Sequence, residues 1–409
     1  MKRFASALCL AAVVASSEAQ ATGFTDIGQD ISPHPDTFVR LNGYYRLRGD
    51  ALYNLDLDRG TTPSGKPLFP VPLDDPKAQT LTRADMRLRT DLAIYAPGGG
   101  FAVKMRADVF DNLLMGSTPA GSYPAGSTSQ DSPANAIRVK RAYAEMVTPF
   151  GLVAAGRMGH HWGLGMLANG GDCADCNSGD AADRVALMTP IAGHIIGAAY
   201  DLTAVGPYTR RASDTRAIDL DRADNVRSVT VAILKWRDDL ARERRRKAGR
   251  ITVDYGAYYS HRSQDKDIPA SYVATSQPVA ITPQQSMSRG YRADAADVWI
   301  RAVFPYGRIE AEAAVMWATI DQPSLIPGVM LRDPLKSRQI GAALESDLHT
   351  SNDVFGGGLD GGYASGDRAP GFGAYPPAST GAGAAGELEG PQANPPYDRR
   401  VDNFRFHPD

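Results

Sequence analysis

Charged side chains at every second position are the residues of this sequence that could do chemistry. From Val39 to Leu55 the even positions carry Arg40, Asn42, Tyr44, Arg46, Arg48, Asp50, Leu52 and Asn54, while the odd ones carry Val39, Leu41, Gly43, Tyr45, Leu47, Gly49, Ala51, Tyr53 and Leu55. The pattern returns with Arg83, Asp85, Arg87, Arg89 and Asp91 against Ala84, Met86, Leu88, Leu92 and Ile94. It returns again with Lys104, Arg106 and Asp108 against Phe101, Val103, Met105, Ala107 and Val109. Side chains alternate across a strand, so each run has one greasy face and one charged face. Around water, such a charged face selects ions and solutes by sign, and its excess of arginine favours anions. The same residues also read as cross-strand ion pairs filling a wet interior. Later runs carry Asp254, Glu310, Glu312, Glu345 and Asp347, which predicts an acidic side facing the basic one.

Three other clusters have reactive side chains. Cys173 and Cys176 have C-x-x-C spacing, but no βαβ pattern surrounds them, so a disulfide stiffening an outer loop is the leading reading over a redox pair. Around them Asp172, Asp175, Asn177, Asp180 and Asp183 could give oxygen ligands to Ca²⁺, although the spacing departs from the D-x-[DN]-x-[DN]-G loop; a plain solvated acidic loop is the third alternative. No other cofactor is indicated. His160-His161-Trp162 ends a run near one rim, where an amphipathic Trp fits a lipid–water boundary. A catalytic His would need a nucleophile and an orienting acid; no G-x-S-x-G motif is present, and an enzyme is not expected. The run Arg242-Glu243-Arg244-Arg245-Arg246-Lys247 reads as a solvated hairpin or a contact for anionic headgroups.

The elements that must position these residues are long strands. Strands of soluble domains average five or six residues, whereas a tilted strand crossing an outer membrane needs about 9–11, apolar to lipid and polar to the lumen. Thirteen runs are predicted: 38–55, 81–96, 101–115, 136–148, 152–165, 183–189, 194–205, 225–237, 250–262, 295–304, 308–320, 338–348 and 353–364. Short links at Pro97–Gly100, Pro149–Gly151, Thr189–Gly193, Pro305–Gly307 and His349–Asn352 alternate with long Pro/Gly/Ser-rich loops, including 166–182 and 263–294. Short turns on one side and long loops on the other are the asymmetry of a transmembrane antiparallel up-and-down β-barrel. Bacterial single-chain barrels have even strand numbers. Thirteen runs followed by a Gly/Pro-rich outer segment at 365–409 therefore predict an incomplete barrel, the chain reading as a truncated fragment.

The start of the chain is an address. Lys2 and Arg3 precede an apolar stretch from Phe4 to Ala15 and an Ala19-Gln20-Ala21 end, the pattern of a Sec-type signal peptide over 1–21. Residues 22–37 then form a periplasmic N-terminal segment and 38–364 the strands. The 409 residues carry 44 Lys+Arg and 46 Asp+Glu, a net charge of −2 that gives no basic surface for nucleic acid. Mean hydropathy is −0.29, and no run approaches the ~20 apolar residues of a membrane helix.

Three stretches carry a resemblance: AYAEMVTPFGLVAAGRMGHHWGLGMLANGG at 142–171, GDCADCNSGDAADR at 171–184 and GLDGGYASGD at 358–367. Over most of 24–409 the chain resembles porin-like outer-membrane proteins, and within them an uncharacterised family of large bacterial barrels whose chain continues further. The resemblance implies a fold and a Gram-negative outer-membrane location, with no substrate and no functional residue. The expectation is a passive channel for small polar or charged solutes, with outer-membrane lipid around it, homo-oligomers a further option and no nucleic acid. A structural or adhesion barrel is the alternative, and an outer-membrane lipid hydrolase a more distant one.

Overall fold

The computed structural model describes residues 24, 27–28, 36–54, 80–116, 136–206, 209–213, 216–267, 287–324, 330–350, 354–367 and 399–407. The chain forms β1 (Phe38–Tyr53), β2 (Thr80–Tyr95), β3 (Phe101–Leu114), β4 (Ile137–Thr148), β5 (Gly151–Gly159), β6 (Ala181–Ile191) and β7 (His194–Ala204). A small hairpin, β8 (Thr209–Ser213) and β9 (Arg216–Asp219), precedes β10 (Val226–Lys235) and a helix, α1 (Asp239–Lys247). The remaining strands are β11 (Thr252–Asp267), β12 (Met287–Phe304), β13 (Gly307–Ile320), β14 (Leu335–His349) and β15 (Gly356–Ala364).

Thirteen of these strands make one sheet in chain order, β1 to β7 and then β10 to β15, while β8 and β9 pair only with each other. Every neighbouring pair is antiparallel. The fold is all-β and up-and-down, and among the described residues the sheet is open between β1 and β15. The tight ends are built by turn chemistry. Ile191 pairs with His194 around Ala192 and Gly193, whose φ angles of 50° and 75° suit a two-residue hairpin whose twist matches its strands. Phe304 pairs with Gly307 around Pro305 and Tyr306, and Thr148 with Gly151 around Pro149 and Phe150.

Polarity is inverted across this sheet. Leu41 is 67% exposed and Val298 57%, whereas Arg87 and Asp108 are 0% exposed. The outward stripes run through Val39, Leu47, Val103, Val185, Val231, Ile300 and Leu344. Soluble monomers rarely expose apolar patches beyond a few hundred Å². A sheet greasy outside and charged inside is arranged for lipid.

Several expected boundaries move. The run at 152–165 ends as a strand at Gly159, the seven-residue strand at 183–189 is an eleven-residue one, and β11 and β12 reach into the expected 263–294 loop. The last shift has a simple cause. Ser263–Asp267 and Met287–Arg292 lie toward the long-loop end, where neither face needs to be apolar, so the alternation that reveals a strand is missing while the backbone ladder continues from Gln264↔Tyr291 to Asp267↔Met287. The basic run at 242–247, read as a solvated hairpin, forms the last six residues of α1, a helix capped by the Asp238 side chain on the Ala241 amide.

The interior is not uniformly polar. Ala154, Met158, Ala186, Met188, Ala199, Ala232, Leu234, Tyr258 and Trp299 of β5–β7 and β10–β12 form one buried apolar cluster. Phe24 and Ile27 fill it from the N-terminal segment and Trp162 from the β5–β6 connection. Phe24 and Ile27, within the stretch read as the periplasmic N-terminal segment 22–37, thus lie in the sheet's interior. The Gly28 amide donates to Glu145 at 2.9 Å, and Arg184 stacks over Phe24.

Candidate functional site: two charged walls bridged by an infolded loop

The β1–β4 wall is built from the alternating charges. Arg46 and Arg48 of β1 reach Asp85 of β2 at 3.1 and 2.7 Å, and Arg83 holds Asp50 at 2.6 Å. Arg89 makes a two-pronged contact with Asp108 of β3, both arms 2.8 Å, the fork geometry that arginine offers a carboxylate. Arg106 holds Asp91, and Lys104 holds Glu145 of β4 at 2.5 Å. The lumen-facing residues read from the sequence are therefore brought together largely as cross-strand pairs. Arg40 is exposed near the short-turn end of β1.

Arg87 differs from its neighbours. It is fully buried, donates to the Tyr44 hydroxyl at 2.9 Å and stacks on the Tyr44 ring. Its Nε and Nη1 meet no hydrogen-bond partner among the described residues.

The β5–β6 connection, 160–180, is the centre of the site. It was expected outside, yet it turns inward and touches both sides of the sheet. On the basic side Arg46 donates to the carbonyls of Ala174 and Cys176 at 3.0 and 3.1 Å, and Arg48 to the carbonyl and carboxylate of Asp175, both at 3.1 Å. Arg48 also donates to the Asn177 side chain at 2.5 Å, and Arg89 to the Gly171 carbonyl. Arg106 and Arg141 share Asp172, and Arg141 holds the Gly170 carbonyl at 2.6 Å.

On the opposite side Trp162 donates its Nε1 to Asp297 of β12 at 2.8 Å and packs edge-on against Tyr258 of β11 at 4.9 Å. The Leu164 amide donates to Glu312 of β13 at 2.5 Å. Gly163, at φ 55°, lies where a Cβ would collide with the Glu312 carboxylate and the Trp299 ring, so the close approach needs glycine. One loop meeting β1–β4 and β11–β13 requires the sheet to curl round it.

The loop's tip and neck are each fastened. Cys173 and Cys176 are joined by a disulfide with Cα atoms 5.2 Å apart, and the Cys176 amide donates to the Cys173 carbonyl. The four-residue ring faces the carbonyls of Ala174, Asp175 and Cys176 toward Arg46 and Arg48. At the neck, the Asp180 carbonyl accepts from the His160 amide and the Trp162 amide donates to the Ala168 carbonyl. His160 Nδ1 accepts from Arg184 at 2.7 Å; burial first, then that guanidinium, pushes its pKa down to about 3. His161 accepts the Gly170 amide on Nδ1 and faces the Gly163 carbonyl with Nε2, so its proton sits on Nε2; burial lowers its pKa as well. Both rings hold the loop's shape.

A second inward segment meets the loop. Phe404 is buried against Met166 and Ala314, and the His407 amide donates to the Met166 carbonyl at 2.9 Å. Residues 399–407, expected within an outer segment, thus return along β14, where Lys336 bridges Arg400.

The five oxygen-bearing residues at 172–183 do not converge on a cation position. Asp172 serves Arg106 and Arg141, Asp175 and Asn177 serve Arg48, Asp180 meets His407 and Asp183 pairs with Arg157. Among the described residues no group of three or more His, Cys, Asp or Glu is arranged for a metal. Trp162, expected at a lipid boundary, is buried inside. An interfacial Trp and a luminal one have the same local sequence, so only the turn of the backbone after Gly159 separates them. The acidic side is present as Asp254, Glu310 and Glu312, all buried, but the reading missed Asp297, which takes the Trp162 hydrogen bond, and Arg301, which pairs with Asp254 at 3.2 Å. The alternation Asp297, Trp299, Arg301 was the available signal for both.

Strand order, inverted polarity and a loop folded into the interior define an all-β transmembrane sheet of the barrel type. No family model matches the sequence, and no curated protein matches it. Among solved structures the chain is similar to a porin refined at 1.8 Å resolution, at 12% identity over 79% of this chain and 94% of that one, with a TM-score of 0.29. It is similar also to the outer membrane channel DcaP of Acinetobacter baumannii, at 12% identity over 81% and 98%, with a TM-score of 0.28. The fold stands on the chain's own ladders and polarity, independently of these likenesses.

Proposed function

We propose that the protein is a porin-like channel of a Gram-negative outer membrane, passing small polar or charged solutes by diffusion. The short turns and α1 face the periplasm and the long loops face outward. The observation that supports this reading is the infolded loop suspended between an arginine-rich wall and an acidic wall inside a sheet that is apolar outside. Opposed walls of fixed charge set up a transverse field, which orients polar solutes and sorts ions by sign. A loop held by hydrogen bonds, ion pairs and one disulfide narrows that passage and sets its cross-section.

Reconstitution into planar bilayers, with a KCl gradient across the membrane, tests the reading. Discrete conductance steps with a reversal potential displaced from zero are expected, and the displacement should move toward cations when Arg46 and Arg48 are both changed to Gln. A purified, heat-modifiable protein that gives no conductance steps contradicts a channel.

A further inference from the structure

At the long-loop end of the basic wall, between β4 and the infolded loop, the described residues line a half-open cavity of about 270 Å³. Arg89, Arg106, Lys140, Arg141 and Arg157 line it. Only two carboxylates share the lining, Asp180 and Asp183. The acids paired with the other cations, Asp91, Asp108, Asp111 and Asp172, do not contribute to the lining, so among the described residues five cationic side chains and two carboxylates border the space. Lys140 lies at a bulge in β4, where Arg106 pairs with Arg141 but Ala107 pairs with Val139. That bulge puts Lys140 and Arg141 on the same cavity. Arg157 is the most open member, with its side chain 55% exposed, and it commits Nε and Nη2 to Asp183. Among the described residues its Nη1 has no such commitment.

We infer that this rim cavity, which shares Arg89, Arg106 and Arg141 with the loop's anchors and adds Lys140 and Arg157, is a binding site for a phosphate-type oxyanion. Clustered guanidinium and ammonium groups recognise phosphate through charge-assisted hydrogen bonds, and the volume admits one such group with some of its water. The inference deepens the channel reading, because a cationic site at the outer mouth would gather anionic solutes where they enter. The same chemistry would equally hold a phosphate of an outer-leaflet lipid, since Arg157 reaches the cavity from the rim.

Calorimetric titration of the full-chain protein in detergent with inorganic phosphate tests the site without depending on conduction. Saturable binding is expected, about tenfold weaker in the double variant Lys140→Gln/Arg157→Gln, as loss of two of five cations implies. Asp183→Asn should act in the opposite direction and tighten binding several-fold, because it frees Arg157; a variant that had merely misfolded could not gain affinity. Diphosphorylated lipid A, added in the same detergent, separates the sources. If it displaces phosphate at micromolar levels the lipid is the occupant, and if it does not the site serves free anions; both outcomes support the oxyanion site. No saturable binding of either, or no response to the three substitutions, overturns it. Binding without conductance would sink the channel reading and leave the site standing.

Discussion

Within the infolded loop, each polar group has been given a partner that fixes a shape. The disulfide closes a ring of only four residues, so its effect on the unfolded chain is small and its effect on the carbonyls it frames is local. Without the bond the tip can relax, and Arg46 and Arg48 lose the fixed acceptors of Ala174, Asp175 and Cys176. The double variant Cys173→Ser/Cys176→Ser, or the wild type treated with reductant, should therefore show faster amide exchange at 172–178 and noisier, larger current steps, with the sheet's thermal midpoint nearly unchanged. His160 gives the loop a pH dependence. Its folded pKa of about 3 lies below the ordinary value near 6.5, so the neutral ring's contribution is complete above 6.5 and is lost as the pH falls toward 3. Protonation would set a cation against Arg184. Protection factors of the amides around 160–170, taken relative to the intrinsic exchange rate at each pH, should fall as pH is lowered from 6.5 to 4, and His160→Gln should remove most of that dependence.

At the level of strands, the two faces tolerate different changes. Val231 points outward in the middle of β10, while Thr230 and Ala232 beside it point into the interior. Placing arginine on the lipid face near mid-depth costs about 2–4 kcal/mol. Val231→Arg should thus lower the stability of the reconstituted protein by that amount in urea titrations, whereas Val231→Leu should be within about 0.5 kcal/mol of wild type, as surface substitutions usually are. Strands were legible in the sequence wherever this two-faced demand operates. β1 shows it as far as Ala51 and β3 as far as Val109, and the thirteen runs read from the sequence correspond to the thirteen ladder strands. The outer ends of β11 and β12 were not legible, because a strand that has left the lipid belt keeps its hydrogen bonds but loses the requirement for one greasy face. The infolded loop was illegible for a related reason. Gly, Asn, Asp and His satisfy a loop whether it faces bulk water or lies between two charged walls, and its burial depends on Asp297 and Glu312, which lie more than 120 residues further along the chain.

Across the whole molecule, three separate stretches enter the same interior. Phe24 and Ile27 pack toward β5–β7, residues 160–180 span from β1–β4 to β11–β13, and Phe404 lies beneath Met166. Charged side chains at alternate positions are legible in the sequence, but the apolar cluster among them is not, since Ala and Met at inward positions of β5 and β6 look the same as outward ones. The interior is thus a packed mount for the loop. The central claim is that this loop, held between two charged walls of a lipid-embedded sheet, sets the size of the passage. Its most direct test is the single-channel conductance of a variant in which 163–178 is replaced by a short Gly-Ser link, compared with wild type in the same bilayer. The account predicts well-formed channels whose conductance rises several-fold and whose ion selectivity weakens; a folded, inserted variant with unchanged conductance and selectivity would contradict it.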